Sequence, residues 1–435
     1  MKILLLRVKV FLKWLLPDWI FEKVYHAVFW PLLVVILYRY PSRRIKVIGV
    51  TGTNGKTTVV HLATHILENA GFKVASLSSL RFKIDHLEWK NTLKMTMPGR
   101  LKMQKFLRQS INARCDYVVM EVTSEGIKQN RHRFINFDTV VFTNLTPEHI
   151  ESHGSLERYK ETKGKLFALP HLTSIINIDD ENAGYFLNFA AENKITYSID
   201  EGTQDIDAVL AEEIELGKNG ISFQVDGVQF DVPMLGRFNI YNTLTAVCIG
   251  LSQKLKLEDI SKHLKTFTGV PGRMERVIGE PFVVIVDYAH TPDAMKQVYK
   301  TIKGQMLDVK GGRMLCVFGA TGGGRDKWKR PEFARIAQNY CDEIILTNED
   351  PYDENPEIIL DDIAKGFSKV SSFKFQVSRV LDRRKAINKA LQIAKNGDFV
   401  VVTGKGAEPI MMSKEGAKKW DDRNIVREEF TKLYF

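Results

Sequence analysis

A chain of 435 residues with 44% apolar and 26% charged side chains is globular rather than disordered, and long enough for two or three cores. Its four cysteines, Cys115, Cys248, Cys316 and Cys341, are scattered with no C-x-x-C pair, which excludes a disulfide scaffold and a cysteine zinc ribbon. The net charge of +10 is concentrated at the front. Residues 1–46 hold nine Lys or Arg against Asp18 and Glu22, a net +7 that leaves +3 for the other 389 residues, so no nucleic-acid groove is implied.

Residues 1–46 are the first element in chain order. Twelve of the first sixteen residues are apolar, and Lys2, Lys9 and Lys13 share one helical face that Arg7 leaves. A second apolar run, Ala27 to Leu37, is eleven residues long and broken by Pro31. A membrane-spanning helix needs about 20 residues. Early charges and the lack of a small-residue cleavage site argue against a signal peptide. The expectation is a short helical segment that makes a peripheral membrane contact or packs on the body of the protein.

Val47-Ile48-Gly49-Val50 reads as a buried strand, Thr51 to Thr58 as a loop holding Gly-Lys-Thr, and the stretch to Ala70-Gly71 as a helix. Strand, loop and helix N-terminus together make a phosphate cradle. Gly52, Thr53, Asn54, Gly55, Lys56, Thr57 and Thr58 are therefore the expected ATP contacts. Lys56 would neutralise the β and γ phosphates, and Thr57 would ligate Mg²⁺. The strict G-x-x-x-x-G-K spacing fails, because Val50 stands where its first glycine belongs.

Residues 117–120 and 139–143 read as further strands, ending at Glu121 and Asn144. Open α/β sheets place ligands at such carboxyl ends, so Glu121 is either an Mg²⁺ ligand or a solvated strand-end carboxylate. From about Val270 strand and helix alternate again, with strands expected over residues 283–286, 314–318, 343–347 and 399–403. The fold class that follows is α/β.

At this point nine blocks, in order over roughly residues 47–410, resemble the Mur ligases, and most closely the MurE type. They are Thr51–Thr58; Glu121-Val-Thr-Ser-Glu-Gly-Ile-Lys-Gln-Asn-Arg131; and Phe142-Thr-Asn-Leu-Thr-Pro-Glu-His-Ile-Glu-Ser-His-Gly154. Tyr159 to Phe167, Gly236 to Asn242, Pro271 to Glu275, Asp287 to Asp293, Arg325 to Pro331 and Gly404 to Glu408 complete the set. The resemblance implies a P-loop central domain with a mostly parallel sheet over residues 47–269 and a Rossmann-like amino-acid-binding domain over residues 270–435. It implies an ATP-dependent ligase of peptidoglycan synthesis: ATP phosphorylates a peptide carboxylate and an amino acid's amine attacks the acyl phosphate. Lys56, Glu121, His149 and Lys163 match its catalytic residues, with Thr57, Glu121, His149 and a carbamylated Lys163 matching its Mg²⁺ ligands. Asn242, Arg273 and Asp287 match nucleotide contacts. Thr96, Ser124, Gln129 and Arg131 match the sugar-peptide acceptor site, and Arg325, Asp350 and Glu408 the amino-acid site.

Three features depart from that pattern. Only 46 residues precede the P-loop strand, too few for the family's UDP-binding domain, so the acceptor is expected to carry either UDP or a lipid. Glu349-Asp350-Pro351-Tyr352 has Tyr where diaminopimelate-adding enzymes have a carboxylate-gripping Arg, and diaminopimelate is not supported. Thr96-Met97-Pro98 replaces Thr-Thr-Pro, and Glu125 replaces a histidine. The expected location is cytoplasmic, at the inner membrane face if the basic leader binds lipid. The competing readings are a relative acting on a folate-type or polyamide carboxylate, and a membrane-associated protein that binds ATP without ligating.

Overall fold

A computed structural model describes residues 35–435, except residues 94, 204, 206, 308, 310 and 369–374. The helical and membrane readings of residues 1–34 lie outside the described residues. The end of that leader packs on the body: Arg108 Nε donates to Tyr38 O at 3.0 Å, and Asn136 N donates to Ser42 Oγ at 3.0 Å. Among the described residues no helix is long and apolar enough to cross a membrane.

The first sheet has nine strands: β1 (Lys46–Thr51), β2 (Val74–Leu77), β3 (Arg81–Ile84), β4 (Leu87–Lys90), β5 (Tyr117–Glu121), β6 (Thr139–Phe142), β7 (Thr173–Asn177), β8 (Asn193–Ser198) and β9 (Val209–Leu210). Their spatial order is β4-β3-β2-β5-β1-β6-β7-β8-β9, parallel throughout except for the β2-β3-β4 meander. Period-2 alternation sends the side chains of the central strands to two separate cores. Ile48, Val50, Val119 and Val141 face the core under the helices Lys56–Asn69 and Phe238–Ser252. Val47, Val118, Met120 and Phe142 face the core under Arg100–Asn112 and Leu156–Phe167. A three-stranded antiparallel sheet, β10 (Glu212–Leu216), β11 (Ile221–Val225) and β12 (Val228–Val232), closes the first of these cores with Phe223 and Phe230.

The second sheet contains β13 (Glu275–Ile278), β14 (Val283–Asp287), β15 (Met314–Phe318), β16 (Glu343–Leu346), β17 (Gln376–Arg379) and β18 (Phe399–Thr403). Its order is β13-β14-β18-β15-β16-β17, with β13 alone antiparallel. Val401 faces one core and Val400 and Val402 the other, so this sheet too is covered on both faces. The expected mixed α/β architecture with parallel sheets is what forms.

One pairing goes beyond what the sequence indicated: Cys316 on β15 and Cys341 just before β16 form a disulfide, with Cα atoms 6.0 Å apart, which leaves the exclusion of a disulfide scaffold and of a C-x-x-C pair as it stood. The crossover through helix Lys329–Tyr340 returns the chain to the neighbouring parallel strand, which brings together two residues 25 apart in sequence.

Candidate active site

The phosphate loop leaves the carboxyl end of β1 with Gly52 at φ +150° and Gly55 at φ +87°. A Cβ on Gly55 would lie 2.3 Å from Asn242 Oδ1, and one on Gly52 would lie 2.0 Å from Thr143 Oγ1, so neither position accepts a side chain. Val50 can replace the first glycine of the strict pattern because it is still inside β1, fully buried in the core. The loop is pinned from β6: Asn54 N donates to Asn144 Oδ1 at 2.8 Å, and Thr143 Oγ1 donates to Asn54 O at 2.8 Å. The helix starting at Lys56 has no side-chain cap and no acidic residue in its first turn, which leaves its N-terminal N–H groups for an anion.

Lys56 Nζ donates to Gly52 O at 2.9 Å and Thr53 O at 2.7 Å. Burial lowers its pKa, partly opposed by Glu121. Thr57 Oγ1 lies 3.0 Å from Ser79 Oγ and accepts from Arg273 at 3.3 Å. Glu121 is buried at the end of β5, and one of its carboxylate oxygens accepts from Ser79 N at 2.8 Å. Thr57 and Glu121 thus offer two hard oxygen donors beside the cradle, a set that suits Mg²⁺ completed by phosphate oxygens.

Lys163, 1% exposed on helix Leu156–Phe167, donates to Gly52 O at 2.7 Å and lies over the Tyr159 ring at 4.4 Å. Burial and then the Lys56 charge hold its pKa well below the ordinary lysine value. His149, at φ +58°, is pushed down to about 2 by burial and then by Arg325, Lys329, Lys163 and His290, so its ring is neutral.

Residues of the second sheet complete the site. The Arg273 guanidinium stacks on Tyr288 at 4.1 Å while reaching Thr57. The Asp287 carboxylate accepts from Met274 N at 2.7 Å and Ala289 N at 2.6 Å, which fixes the turn that carries Arg273 and Tyr288. Tyr288 OH donates to Glu408 at 3.0 Å, and Lys405 bridges Glu408 and Asp350, the latter at 2.8 Å. Burial opposes the Lys405 charge, but Glu408 and Asp350 prevail and hold its pKa above the ordinary value. Arg325 and Tyr352 line the cleft together, and burial lowers the Arg325 pKa while Tyr352 and Tyr288 more than offset it.

Further contacts tie the halves together. Lys329 Nζ meets Glu148 Oε1 at 3.1 Å, with both side chains buried. Asp326 accepts from Ile150 N at 3.2 Å and Glu151 N at 2.9 Å, capping from the second unit a helix of the first.

At the other end Ser124 Oγ lies 3.2 Å from His153 Nε2, and Glu125 takes a hydrogen bond from Ser152 Oγ. Arg131 donates to Met97 O and to Gln129 Oε1. All the site residues expected from sequence line a single cleft of about 920 Å³ between the two sheets, from Thr96 at one end to Asp350 and Glu408 at the other. Sequence reading missed Glu148, Tyr288, Lys329 and Lys405, which line the cleft or brace its walls. Lys405 sits inside the quoted Gly-Lys-Gly-Ala-Glu block and Lys329 inside Arg325–Pro331, so position within a matched motif was the available signal.

The Mur ligase middle domain matches residues 50–250, and the Mur ligase, glutamate ligase domain matches residues 272–406. A UDP-N-acetylmuramoyl-L-alanyl-D-glutamate–2,6-diaminopimelate ligase from Syntrophomonas wolfei is 35% identical over 91% of this chain and 80% of its own length. A protein of the same name from Gloeobacter violaceus is 39% identical over 91% and 79%. Among solved structures, one of such a diaminopimelate ligase superposes with a TM-score of 0.61 at 29% identity, covering 92% of this chain and 82% of that one. Mycobacterium tuberculosis folylpolyglutamate synthase superposes at 0.69 with 16% identity over 86% and 91%, a likeness of fold alone.

Proposed function

This chain belongs to the Mur ligase family and is an ATP-dependent amide-bond ligase, and from that premise we propose that it adds an amino acid to the free carboxylate of a peptidoglycan-precursor sugar peptide, in the cytoplasm, with Mg²⁺. The observation that carries the reading is the single cleft joining a phosphate cradle, a buried lysine pair and a facing Arg325–Asp350–Glu408 pocket. In this reading residues 47–269 bind ATP and acceptor, and residues 270–435 bring the amino acid.

The acceptor carboxylate attacks the γ-phosphorus and ADP leaves. The amine then attacks the acyl carbon and phosphate leaves. Both reactants of the first step are anions, so Lys56 turns from the Gly52 and Thr53 carbonyls to the β and γ oxygens. Arg273 reaches across the cleft from its Tyr288 stack to the same phosphates. Thr57 and Glu121 would hold Mg²⁺, which supplies charge neutralisation when bound.

Lys163 is suited to carbamylation, because burial and then the Lys56 charge lower its pKa and favour the uncharged amine, the form that adds to CO₂ with release of one proton. The carbamate would place an anion beside His149 and relieve the repulsion with Lys56. The Glu148–Lys329 and Asp326 contacts hold the halves shut, which keeps water from the acyl phosphate.

The test is phosphate release from ATP by the full chain with a panel of amino acids, using sugar peptides carried on UDP and on a prenyl chain. Release that requires both acceptor and amino acid supports the reading. ATP turnover only with folate-type or polyamide acceptors would overturn the cell-wall part of it.

A further inference from the structure

Amide formation needs a group that takes a proton from the attacking nitrogen, and the carboxylates at the amino-acid end of the cleft are already engaged. Lys405 bridges Glu408 and Asp350, Tyr288 OH donates to Glu408 at 3.0 Å, and Glu148 is paired with Lys329. The second unit also brings a histidine to the cleft wall. His290 stands three residues after Asp287, just before the Thr291 cap of helix Pro292–Gln305, and it lines the cleft.

Its tautomer follows from one hydrogen bond. His290 Nδ1 lies 3.0 Å from Tyr288 O, and a carbonyl can only accept, so Nδ1 carries the hydrogen. The lone pair is therefore on Nε2, across the ring, which has no hydrogen-bond partner among the described residues. The residue is held from two sides: its ring centroid lies 4.5 Å from that of Tyr288, and Lys329 Nζ donates to His290 O at 3.2 Å. Tyr288 thereby links it to Glu408 in the amino-acid pocket, and Lys329 links it to Glu148 on the phosphate side. Burial and then Lys329 push the His290 pKa down to about 3, against a smaller opposing effect of the Tyr288 carbonyl, so the ring is neutral.

We propose that His290 is the base of the amide-forming step, its Nε2 taking a proton from the amino-acid nitrogen as that nitrogen adds to the acyl phosphate. The lone pair of the amine forms the C–N bond, and the C–O bond to phosphate breaks with its electron pair leaving on the phosphate oxygen. The nitrogen gives one proton to Nε2 and keeps the other as the amide N–H. A nitrogen that has just added to a carbonyl is far more acidic than a free ammonium, so a weak base suffices. The imidazolium formed is disfavoured by Lys329 and Arg273, and it passes its proton to the departing phosphate. Amine and acyl phosphate dianion are thus converted to amide and hydrogen phosphate, with His290 neutral again. The inference rests on the acyl-phosphate reading of the reaction and is independent of what carries the acceptor.

The full chain tests this with ATP and a sugar-peptide acceptor, the two chemical steps being read apart. Borohydride trapping in the absence of amino acid measures acyl phosphate, and phosphate release measures amide formation with an amino acid or with hydroxylamine, which is uncharged at neutral pH. His290→Asn retains an N–H for Tyr288 O and has no basic nitrogen; His290→Gln is the second variant, and folding of each is checked by the melting shift on adding ATP. Both should form acyl phosphate as the unsubstituted chain does and lose about 10²-fold or more in kcat with the amino acid, with a much smaller loss with hydroxylamine. An equal loss with both nucleophiles, a change confined to the amino-acid KM, or a loss of acyl phosphate overturns the role. The unsubstituted chain gives an independent reading: amide formation should be slower in deuterium oxide while acyl phosphate formation is not, and the absence of that difference refutes the proposal whatever the variants do. If the unsubstituted chain traps no acyl phosphate with any sugar peptide, the proposed reaction fails and the role of His290 with it. Acyl phosphate with fully active variants removes the role of His290 alone.

Discussion

Lys163 and Lys56 both donate to one carbonyl oxygen, that of Gly52, at 2.7 and 2.9 Å. Two buried lysines on one acceptor repel each other, and the pKa of each is lowered by burial, further for Lys163 by Lys56. Converting Lys163 to a carbamate turns that repulsion into attraction. Activity should therefore fall in CO₂-depleted buffer and return on adding bicarbonate. Lys163→Met should lose about 10²-fold or more in kcat and show no response to bicarbonate. Full activity of Lys163→Met would remove the lysine from the mechanism.

Arg273 spans the cleft, stacked on Tyr288 and bonded to Thr57 Oγ1 at 3.3 Å. Arg273→Ala removes a charged hydrogen-bond donor facing the phosphates, a change of about 1.5–3 kcal/mol. The KM for ATP should rise about tenfold or more. Arg273→Lys should recover only part of this, since an ammonium neither stacks on Tyr288 nor forks between oxygens. ATP titration by calorimetry provides the check.

The Glu148–Lys329 pair is buried on both sides, and the second Glu148 oxygen has no partner among the described residues. Lys329→Met would strand a carboxylate that burial already pushes towards its neutral form. The expected loss of stability is about 3–5 kcal/mol, while Glu148→Gln with Lys329→Met should lose clearly less. Urea unfolding of the two single variants and the double one measures the coupling.

That pair also marks what the sequence made legible. The phosphate loop could be read from its letters because its strand, glycines and lysine are consecutive, and the fold only had to leave them so. The two-sided sheets followed from apolar runs such as residues 399–403. Contacts between the halves were out of reach, because Glu148 and Lys329, or Asp326 and Ile150, are joined by topology rather than by spacing. Cys316 and Cys341 were missed for the same reason. Lys405 was hidden differently: a lysine between two glycines in a motif reads as solvated, and only its burial between Asp350 and Glu408 shows it as the bridge of the amino-acid pocket.

Tyr352 sits at φ +54° with its ring against Gly323, lining the cleft with Arg325. A side chain in that position fills space and adds no positive charge for a second carboxylate. Amino acids with one carboxylate should therefore be used in preference to diaminopimelate. Tyr352→Arg should shift the kcat/KM ratio towards the diacid by about tenfold or more. Competition between lysine and diaminopimelate in one assay reads the ratio directly, and a wild-type preference for diaminopimelate would refute this role for Tyr352.

His132 lies in the turn over residues 129–133, buried, and its Nδ1 has no partner among the described residues. Burial pushes its pKa down to about 4 from an ordinary 6.5, with Arg133, Lys165 and Arg100 adding to the effect. A histidine kept neutral in the fold takes up its proton on unfolding, so the unfolded chain binds more protons between those two values. Stability attributable to this group is intact above pH 6.5 and is lost as pH falls towards 4, by roughly 2–3 kcal/mol at most. His132→Leu keeps the volume near that of the ring and removes the proton. Its unfolding free energy should fall less between pH 7 and pH 4.5 than that of the unsubstituted chain, measured by urea denaturation at both pH values. Equal losses in the two proteins would mean that burial does not keep His132 neutral in the fold.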